Sequence, residues 1–324
     1  MRTVATTRFT EMWFASGQRL GYDARTRVID PAASPKVFVR VDGDVKHAVT
    51  FLPGYPDGSI GWARVLPYLP DAATMPKLFV EYVGMGDSDK PRDYAYSTTE
   101  RTDLVEALWR HFGVSSTTLV AFDFSSLVVL EHLARRLEGL SAAPAIRGVL
   151  IFNGGLFPDG HSHPWFTTPV LRRLPVGLIP RLANTPFSTF KLTARVMWSK
   201  HHRTWEDEAR DLYSAMSRND GLFFLYRAAG FAADHRAQGA RLDFGRIYEA
   251  YRGEIPFLVG GSDEDPFEHR QVMLAQERLG ARGLTVAHLP GGHLTTNEQP
   301  EALARLVEDF YVRTRERPRE GGLL

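Results

Sequence analysis

Cysteine is absent from all 324 residues, which excludes disulfides, thiolate nucleophiles and cysteine-ligated zinc. An excess of either charge is absent too: 39 basic side chains face 38 acidic ones, a formal net of +1. A chain so balanced carries no electrostatic footprint for nucleic acid or an anionic membrane surface. Long apolar runs are also missing. None nears the roughly 18 consecutive apolar residues of a membrane-spanning helix. The most apolar part of the middle region, residues 169–182, is broken by Arg172, Arg173, Pro175, Gly177 and Pro180. The first residues, MRTVATTRFTEMWFASG, lack the continuous apolar core of a secretory leader. A soluble, cytoplasmic protein is expected.

What is present is an alternation. Apolar residues make up 44% and charged residues 24%, ordinary values for a globular protein, and the length suits one large α/β domain carrying an insertion. Short β-branched or aromatic runs at 37–41, 48–52, 78–82, 118–122, 148–152, 256–259 and 284–289 alternate with amphipathic stretches at 99–112, 125–137, 267–279 and 300–312. Leu104, Leu108 and Phe112 recur at helical spacing and predict a core-facing stripe. Near-continuous apolar strands separated by helices predict a mostly parallel twisted sheet covered on both faces. The rhythm breaks between about Phe157 and Gly253, a stretch rich in Arg, Phe, Trp and Tyr with no βα alternation. The expected organisation is a core formed by 1–156 and 254–324, with a helical cap, 157–253, inserted between two strands over the edge where open α/β sheets bind ligands. The tail from Arg313 is polar, and its end is expected to fray.

One segment carries the chemistry. In Thr118-Leu119-Val120-Ala121-Phe122-Asp123-Phe124-Ser125-Ser126-Leu127 an apolar strand stops and an apolar helix begins within two residues. Such an elbow holds its central residue in a strained conformation, so the residues two before and two after must be small. Around Asp123 these are Ala121 and Ser125, which fit. Around Ser125 they would be Asp123 and Leu127, and around Ser126 they would be Phe124 and Val128. Sterics therefore select Asp123. Taken alone, Asp followed by two serines is also an ordinary helix cap.

Further segments support the elbow. Pro53-Gly54-Tyr55-Pro56 follows a strand, where this architecture places one backbone N–H of an oxyanion hole, here that of Tyr55. The second would come from Phe124, the residue after the nucleophile. Gly84-Met85-Gly86 follows another strand but is neither G-x-G-x-x-G nor a Walker sequence, so nucleotide binding is not expected. Ser262-Asp263-Glu264-Asp265-Pro266 ends a strand with acids placed to orient a histidine. Asp263 is taken as that acid, and Asp265, before Pro266, stands as its alternative or as a turn residue. His293 in Pro290-Gly291-Gly292-His293 is the matching base. Nucleophile at 123, acid at 263 and histidine at 293 follow the chain order of the α/β-hydrolase fold. His161-Ser162-His163 and His201-His202 have no carboxylates at useful spacing, so neither a metal nor a cofactor is expected.

With these residues in view, the chain resembles the haloalkane dehalogenase and epoxide hydrolase branch of the α/β-hydrolase superfamily from about Trp13 to Tyr311. Within it, the chain is most similar to the mesoderm-specific transcript group and its bacterial members. GMGDSDKP at 84–91, the Asp elbow, Asn153-Gly154-Gly155-Leu156-Phe157-Pro158 and Arg218-Asn219-Asp220-Gly221 carry the resemblance. There are departures: Pro53-Gly54 stands where the family usually has His-Gly, and Phe122-Asp123-Phe124-Ser125 where it often has His-Asp-Trp-Gly. The resemblance implies that dehalogenases hold the departing halide with N–H donors at the positions of Phe124 and Tyr55, whose side chains have none. Asn153 or a cap residue would have to compensate.

A carboxylate nucleophile narrows the substrate. Attack on an acyl ester gives an uphill anhydride, whereas attack on an sp³ carbon gives an alkyl ester. Water deprotonated by His293 can then hydrolyse that ester. The hole donors are expected to keep Asp123 ionised near neutral pH. An epoxide also needs a proton donor. The resemblance implies a cap tyrosine, among Tyr213, Tyr226, Tyr248 and Tyr251, with Tyr226 preferred because it follows Phe223 and Phe224. The expected partners are a small apolar organic substrate and water.

Overall fold

The computed structural model describes residues 6–141, 144–161, 186–219 and 231–315. Among them, nine strands form one sheet in the order β2-β1-β3-β5-β4-β6-β7-β8-β9. In chain order these are β1 (Gln18–Asp23), β2 (Val28–Ile29), β3 (Lys36–Asp42), β4 (His47–Leu52), β5 (Lys77–Val80), β6 (Ser116–Phe122), β7 (Ala145–Phe152), β8 (Phe257–Ser262) and β9 (Thr285–Leu289). From β5 to β9 along the sheet every pairing is parallel. The edge formed by β2, β1 and β3 is antiparallel. That edge is where the sequence pattern fell short: β1, QRLGYD, is mostly polar, and β2 is only Val28 and Ile29, both at least partly exposed, so no apolar run marks either.

Two apolar layers sandwich the sheet, and the period-2 alternation of strand side chains sorts residues between them. Val37, Val39, Leu78, Val80, Leu119, Ala121, Val149 and Ile151 enter one layer. Phe38, Phe79, Val120, Phe122, Leu150 and Phe152 enter the other. The first layer is covered by α2 (Thr98–His111) and α3 (Ser125–Leu137), the second by α1 (Arg8–Ala15) and the C-terminal helix Pro300–Arg315. Helix α2 starts on a capping box, Ser97 Oγ accepting from Glu100 N–H while the Glu100 carboxylate accepts from Ser97 N–H. Leu104 and Leu108 are buried as the stripe predicts, whereas Phe112 is only partly so. The C-terminal helix persists to Arg315, past the expected start of the polar tail; the rest of the tail lies outside the described residues.

Between β7 and β8 all described regular structure is helical: Phe187–Ala194, Trp205–Met216, Phe231–Gln238 and Phe244–Tyr251, with short 3₁₀ turns. The last of these does not lie over the sheet edge. Phe244 and Tyr248 pack on Phe257, and Tyr251 donates its hydroxyl to Leu133 O at 3.1 Å. It therefore flanks the sheet beside α3, and the expected boundary at 253 falls after a helix that belongs with the core packing.

The C-terminal helix packs closely on β7 at Gly148. A Cβ on Gly148 would lie 2.6 Å from Thr314 Cγ2 and 3.0 Å from the Phe310 ring. Gly148→Val should thus lever the helix off the sheet and destabilise the fold by roughly 1–3 kcal/mol, read as a lowered urea midpoint. An unchanged midpoint would mean the helix docks elsewhere.

Candidate active site

The parallel strands all present their carboxyl ends to one edge, and each candidate residue leaves a strand there. Tyr55 follows β4, Asp123 β6, Asn153 β7, Asp265 β8 and His293 β9. From β4 the chain runs first to β5 on one side and then crosses to β6 on the other. Tyr55 and Asp123 thus flank the switch point, where ligands bind in open α/β sheets.

Asp123 sits at φ 53°, in the left-handed region, a conformation costing a non-glycine residue about 1–3 kcal/mol. Its neighbours make this possible. Ala121 and Ser125 are fully buried, and the Ser125 hydroxyl donates to Pro53 O and pairs with Tyr82 Oη at 2.8 Å. Ser126 packs where a Cβ on Gly154 would come within 2.7 Å. Both serines serve the elbow's packing. Helix α3 has no side-chain cap, so the Asp123 carboxylate is not spent as one. Instead Tyr55 N–H donates to Asp123 Oδ2 at 2.8 Å, and Phe124 N–H also donates to this carboxylate. The two expected backbone donors therefore converge on Asp123.

His293 Nε2 lies 3.7 Å from Asp123 Oδ1, and His293 Nδ1 is 3.0 Å from Asp265 Oδ2. Asp265, not Asp263, orients the imidazole. The Asp263 side chain is 59% exposed and sits 3.6 Å from His288, in the turn just past the end of β8. Asp265 is buried, and its other oxygen accepts Phe267 N–H at 2.8 Å. The turn role foreseen for it and the orienting role are both filled, one oxygen each.

Asn153 is not a pocket residue. At φ 49° its Nδ2 donates to His293 O at 2.7 Å and Ser262 Oγ at 2.9 Å, while its Oδ1 accepts Ser262 N–H at 2.8 Å. This amide staples the ends of β7 and β8 to the histidine loop, so no N–H remains for a halide. Tyr226 lies outside the described residues. Tyr213 packs among Phe187 and Phe190, Tyr248 Oη donates to Arg282 O, and Tyr251 Oη is taken by Leu133 O. His161 pairs with His235 at 2.7 Å and His202 with Glu208 at 2.8 Å. Among the described residues no cluster of three or more possible ligands could hold a metal.

Burial sets the electrostatics. It pushes the Asp123 carboxyl up to about 7, against the opposing pull of His293 and the two N–H donors. The expectation of a firmly ionised Asp123 is thereby corrected, since the desolvation outweighs the hydrogen bonds. Burial also disfavours the His293 cation, but Asp265, then Asp123 and Asp57, outweigh it and lift the imidazole to about 9. Asp57, which sequence reasoning passed over, is itself raised to about 7 by burial and by Asp123. Its only signal was an acid inside the hole loop.

The GMGDSDKP segment proves to be a brace. A Cβ on Gly58 or Gly86 would meet the buried Glu81 carboxylate at 2.5 and 2.2 Å, and Glu81 accepts Ser59 N–H at 3.1 Å and Ser59 Oγ–H at 2.7 Å. Lys90 donates to Gly86 O and Arg218 O, and Asp87 pairs with Arg218 at 2.6 Å. A carboxylate already fills the glycine turn, leaving no cradle for a phosphate.

The assignment of the acid is directly measurable. Asp265→Asn removes the largest favourable influence on the His293 cation, so the His293 pKa should fall markedly in an NMR titration. Asp263→Asn should leave it within experimental error. A shift from the second substitution alone would reverse the roles.

Comparison with known proteins accords with this geometry. Residues 51–306 match the model of the "Alpha/beta hydrolase family". The human mesoderm-specific transcript homolog protein is 30% identical over 177 residues, 53% of this chain, and the match spans about half, 52%, of that relative's length. A putative hydrolase, LipZ, of Mycobacterium tuberculosis is 28% identical over 87% of this chain and 94% of its own. Among solved structures, haloalkane dehalogenase DatA from Agrobacterium tumefaciens C58 superposes with a TM-score of 0.68 at 17% identity, covering 92% of this chain and 96% of its own. A putative aryl esterase from Burkholderia cenocepacia does so with a TM-score of 0.65 at 17% identity over 93% of this chain and 100% of its own. These two likenesses speak for the fold. The chain belongs to the alpha/beta hydrolase family.

Proposed function

We propose that the protein is a hydrolase that forms a covalent alkyl ester on Asp123 and releases it with a water activated by His293, acting on an epoxide. The observation that carries this reading is the carboxylate at the elbow, held by Tyr55 N–H at 2.8 Å with His293 Nε2 at 3.7 Å. At that separation the imidazole faces the carboxylate without hydrogen-bonding it directly. Oδ1, on the histidine side, attacks an epoxide carbon; the C–O bond opens and the alkoxide takes a proton. Tyr226 is our candidate donor, because a neutral phenol is an acid available at pH 7.

Esterification removes the Asp123 charge, one of the influences holding His293 protonated. The imidazole thereby loses its proton more readily once the ester exists, giving the neutral form that can accept one from water. It takes a proton from water, hydroxide adds to Cγ of Asp123, and the Tyr55 and Phe124 N–H groups receive the charge at Oδ2, each worth about 3 kcal/mol. Collapse releases the diol. Asn153, the amide that might have served a halide, is fully engaged, which favours epoxide over haloalkane. No helix among the described residues is long and apolar enough to cross a membrane, which fits a diffusible substrate reached from water.

Trapping tests the nucleophile. His293→Gln incubated with a panel of epoxides and haloalkanes should accumulate an ester on the peptide holding Asp123, seen by intact mass and peptide mapping. Adducts from haloalkanes alone would sink the epoxide reading, and no adduct or turnover from any member would leave a binding role.

The attacking form of Asp123 is ionised, so in the wild-type protein ester formation should rise with pH through about 7 and then level. His293→Gln removes a charge that pulls this pKa down, so the midpoint should move upward. A downward move in single-turnover measurements would contradict the assignment.

A further inference from the structure

A buried cation beside the elbow has no role in the chemistry above. Arg101, in the first turn of α2, is 3% exposed. Its guanidinium carbon lies 4.8 Å from the centre of the Phe124 ring and 6.0 Å from that of Tyr82. Nε and Nη2 are buried, and neither has a hydrogen-bond partner among the described residues. Burying unpaired N–H donors of a charged group is costly, and attraction to an aromatic face offsets only part of that cost.

The protein's other buried arginine in this region is treated differently. Arg135, on α3, bonds Glu131 through Nε at 2.8 Å, Asp103 through Nη1 at 2.7 Å and Thr99 O through Nη2 at 3.2 Å. A guanidinium packed between α2 and α3 can thus be fully satisfied by this scaffold. At Arg101 it is not. Nε and Nη2 form one edge of the planar guanidinium, the fork that receives both oxygens of a carboxylate in parallel.

The position points towards the reacting centre. Phe124 supplies the N–H that holds the Asp123 carboxylate, and its ring carries Arg101 on its face. The same ring meets Tyr55 at 6.3 Å and Phe231, in the inserted helix Phe231–Gln238, at 5.9 Å. One residue, Phe124, thus joins the two, its ring facing the cation and its N–H holding the Asp123 carboxylate. Burial presses the Arg101 cation, against the favourable influence of Tyr82, Asp234, Tyr94 and Glu100.

We propose that Arg101 is the anchor of an anion subsite and that the substrate is an apolar epoxide carrying a carboxylate about one aromatic ring from the reacting carbon. This deepens the proposed reaction and, for the epoxide, rests on it. The apolar body would lie against Tyr55, Phe124 and Phe231 while the carboxylate fills the empty fork.

Two measurements separate the inference from the reaction it rests on. Binding of the unreactive pair para-ethylbenzoate and para-ethylbenzamide to the intact protein is compared by calorimetry. The acid should bind roughly 100-fold more tightly, as for a desolvated charge pair. Arg101→Met should erase that preference and Arg101→Lys should retain part of it. If Arg101→Met fails to fold, shown by loss of its melting transition, the acid-to-amide ratio of the wild-type protein still decides. Equal affinity for the pair overturns the proposal.

Ester formation is then compared for styrene oxide, its para-carboxylate and the methyl ester of that acid. A faster reaction of the carboxylate supports the inference. Equal rates for all three overturn it while leaving the Asp123 reaction intact. Tight, Arg101-dependent binding of the benzoate without any ester on Asp123 would sink the reaction and leave the subsite standing.

Discussion

The structure depends on one backbone torsion. Asp123 stands in the left-handed region, and only there does its carboxylate leave the end of β6 to meet Tyr55 N–H and face His293. Holding it there requires small residues on both sides, a serine against Gly154, and a hydrogen bond from Ser125 to the hole loop. Loop and elbow are therefore one unit: the contact that permits the strain also places the donors. Strain of this kind persists only where the surroundings over-determine it, and the parallel strands on either side do so.

A second constraint is charge without water. Asp57, Glu81, Asp123, Asp265 and Glu268 are all buried, and for four of them burial raises the carboxyl, Glu81 to about 8 and Glu268 well above its ordinary value. Asp265 is bonded to His293 Nδ1 and accepts the Phe267 N–H. The Asp123–His293 pair thus sits among acids whose charge burial disfavours: Glu81 is mostly protonated at pH 7, whereas Asp57 is still partly charged and helps to hold the His293 cation.

The brace formed by GMGDSDKP links segments far apart in the chain. Asp87 and Lys90 hold Arg218, and Asn219 donates to Asp87 O at 2.6 Å. Two stretches that looked like separate signatures in the sequence meet here, tying the inserted helices to the core. The histidine loop is tied in the same way: Glu298 accepts N–H groups of both Gly292 and Ser199, and Leu294 N–H reaches Met197 O. The inserted helical region thus contacts both the GMGDSDKP segment and the loop that carries His293.

By itself the sequence determined the alternating core, the elbow at Asp123, its two backbone donors and the histidine at 293. These are local properties: apolar runs, helical spacing and the small residues a tight turn demands can all be read within ten residues. The two outermost strands were illegible because β1 is largely polar and β2 is a single Val-Ile pair, and only the pairing of β1 with β3 and of β2 with β1 makes them strands. Only the tertiary structure decided between Asp263 and Asp265, since both follow the end of β8 and the turn there exposes the first and buries the second. It also converted Asn153 from a candidate ligand into a staple and made a half-titrated acid of Asp123. Burial and partner geometry arise from residues 28 to 140 positions away, and no local pattern records them.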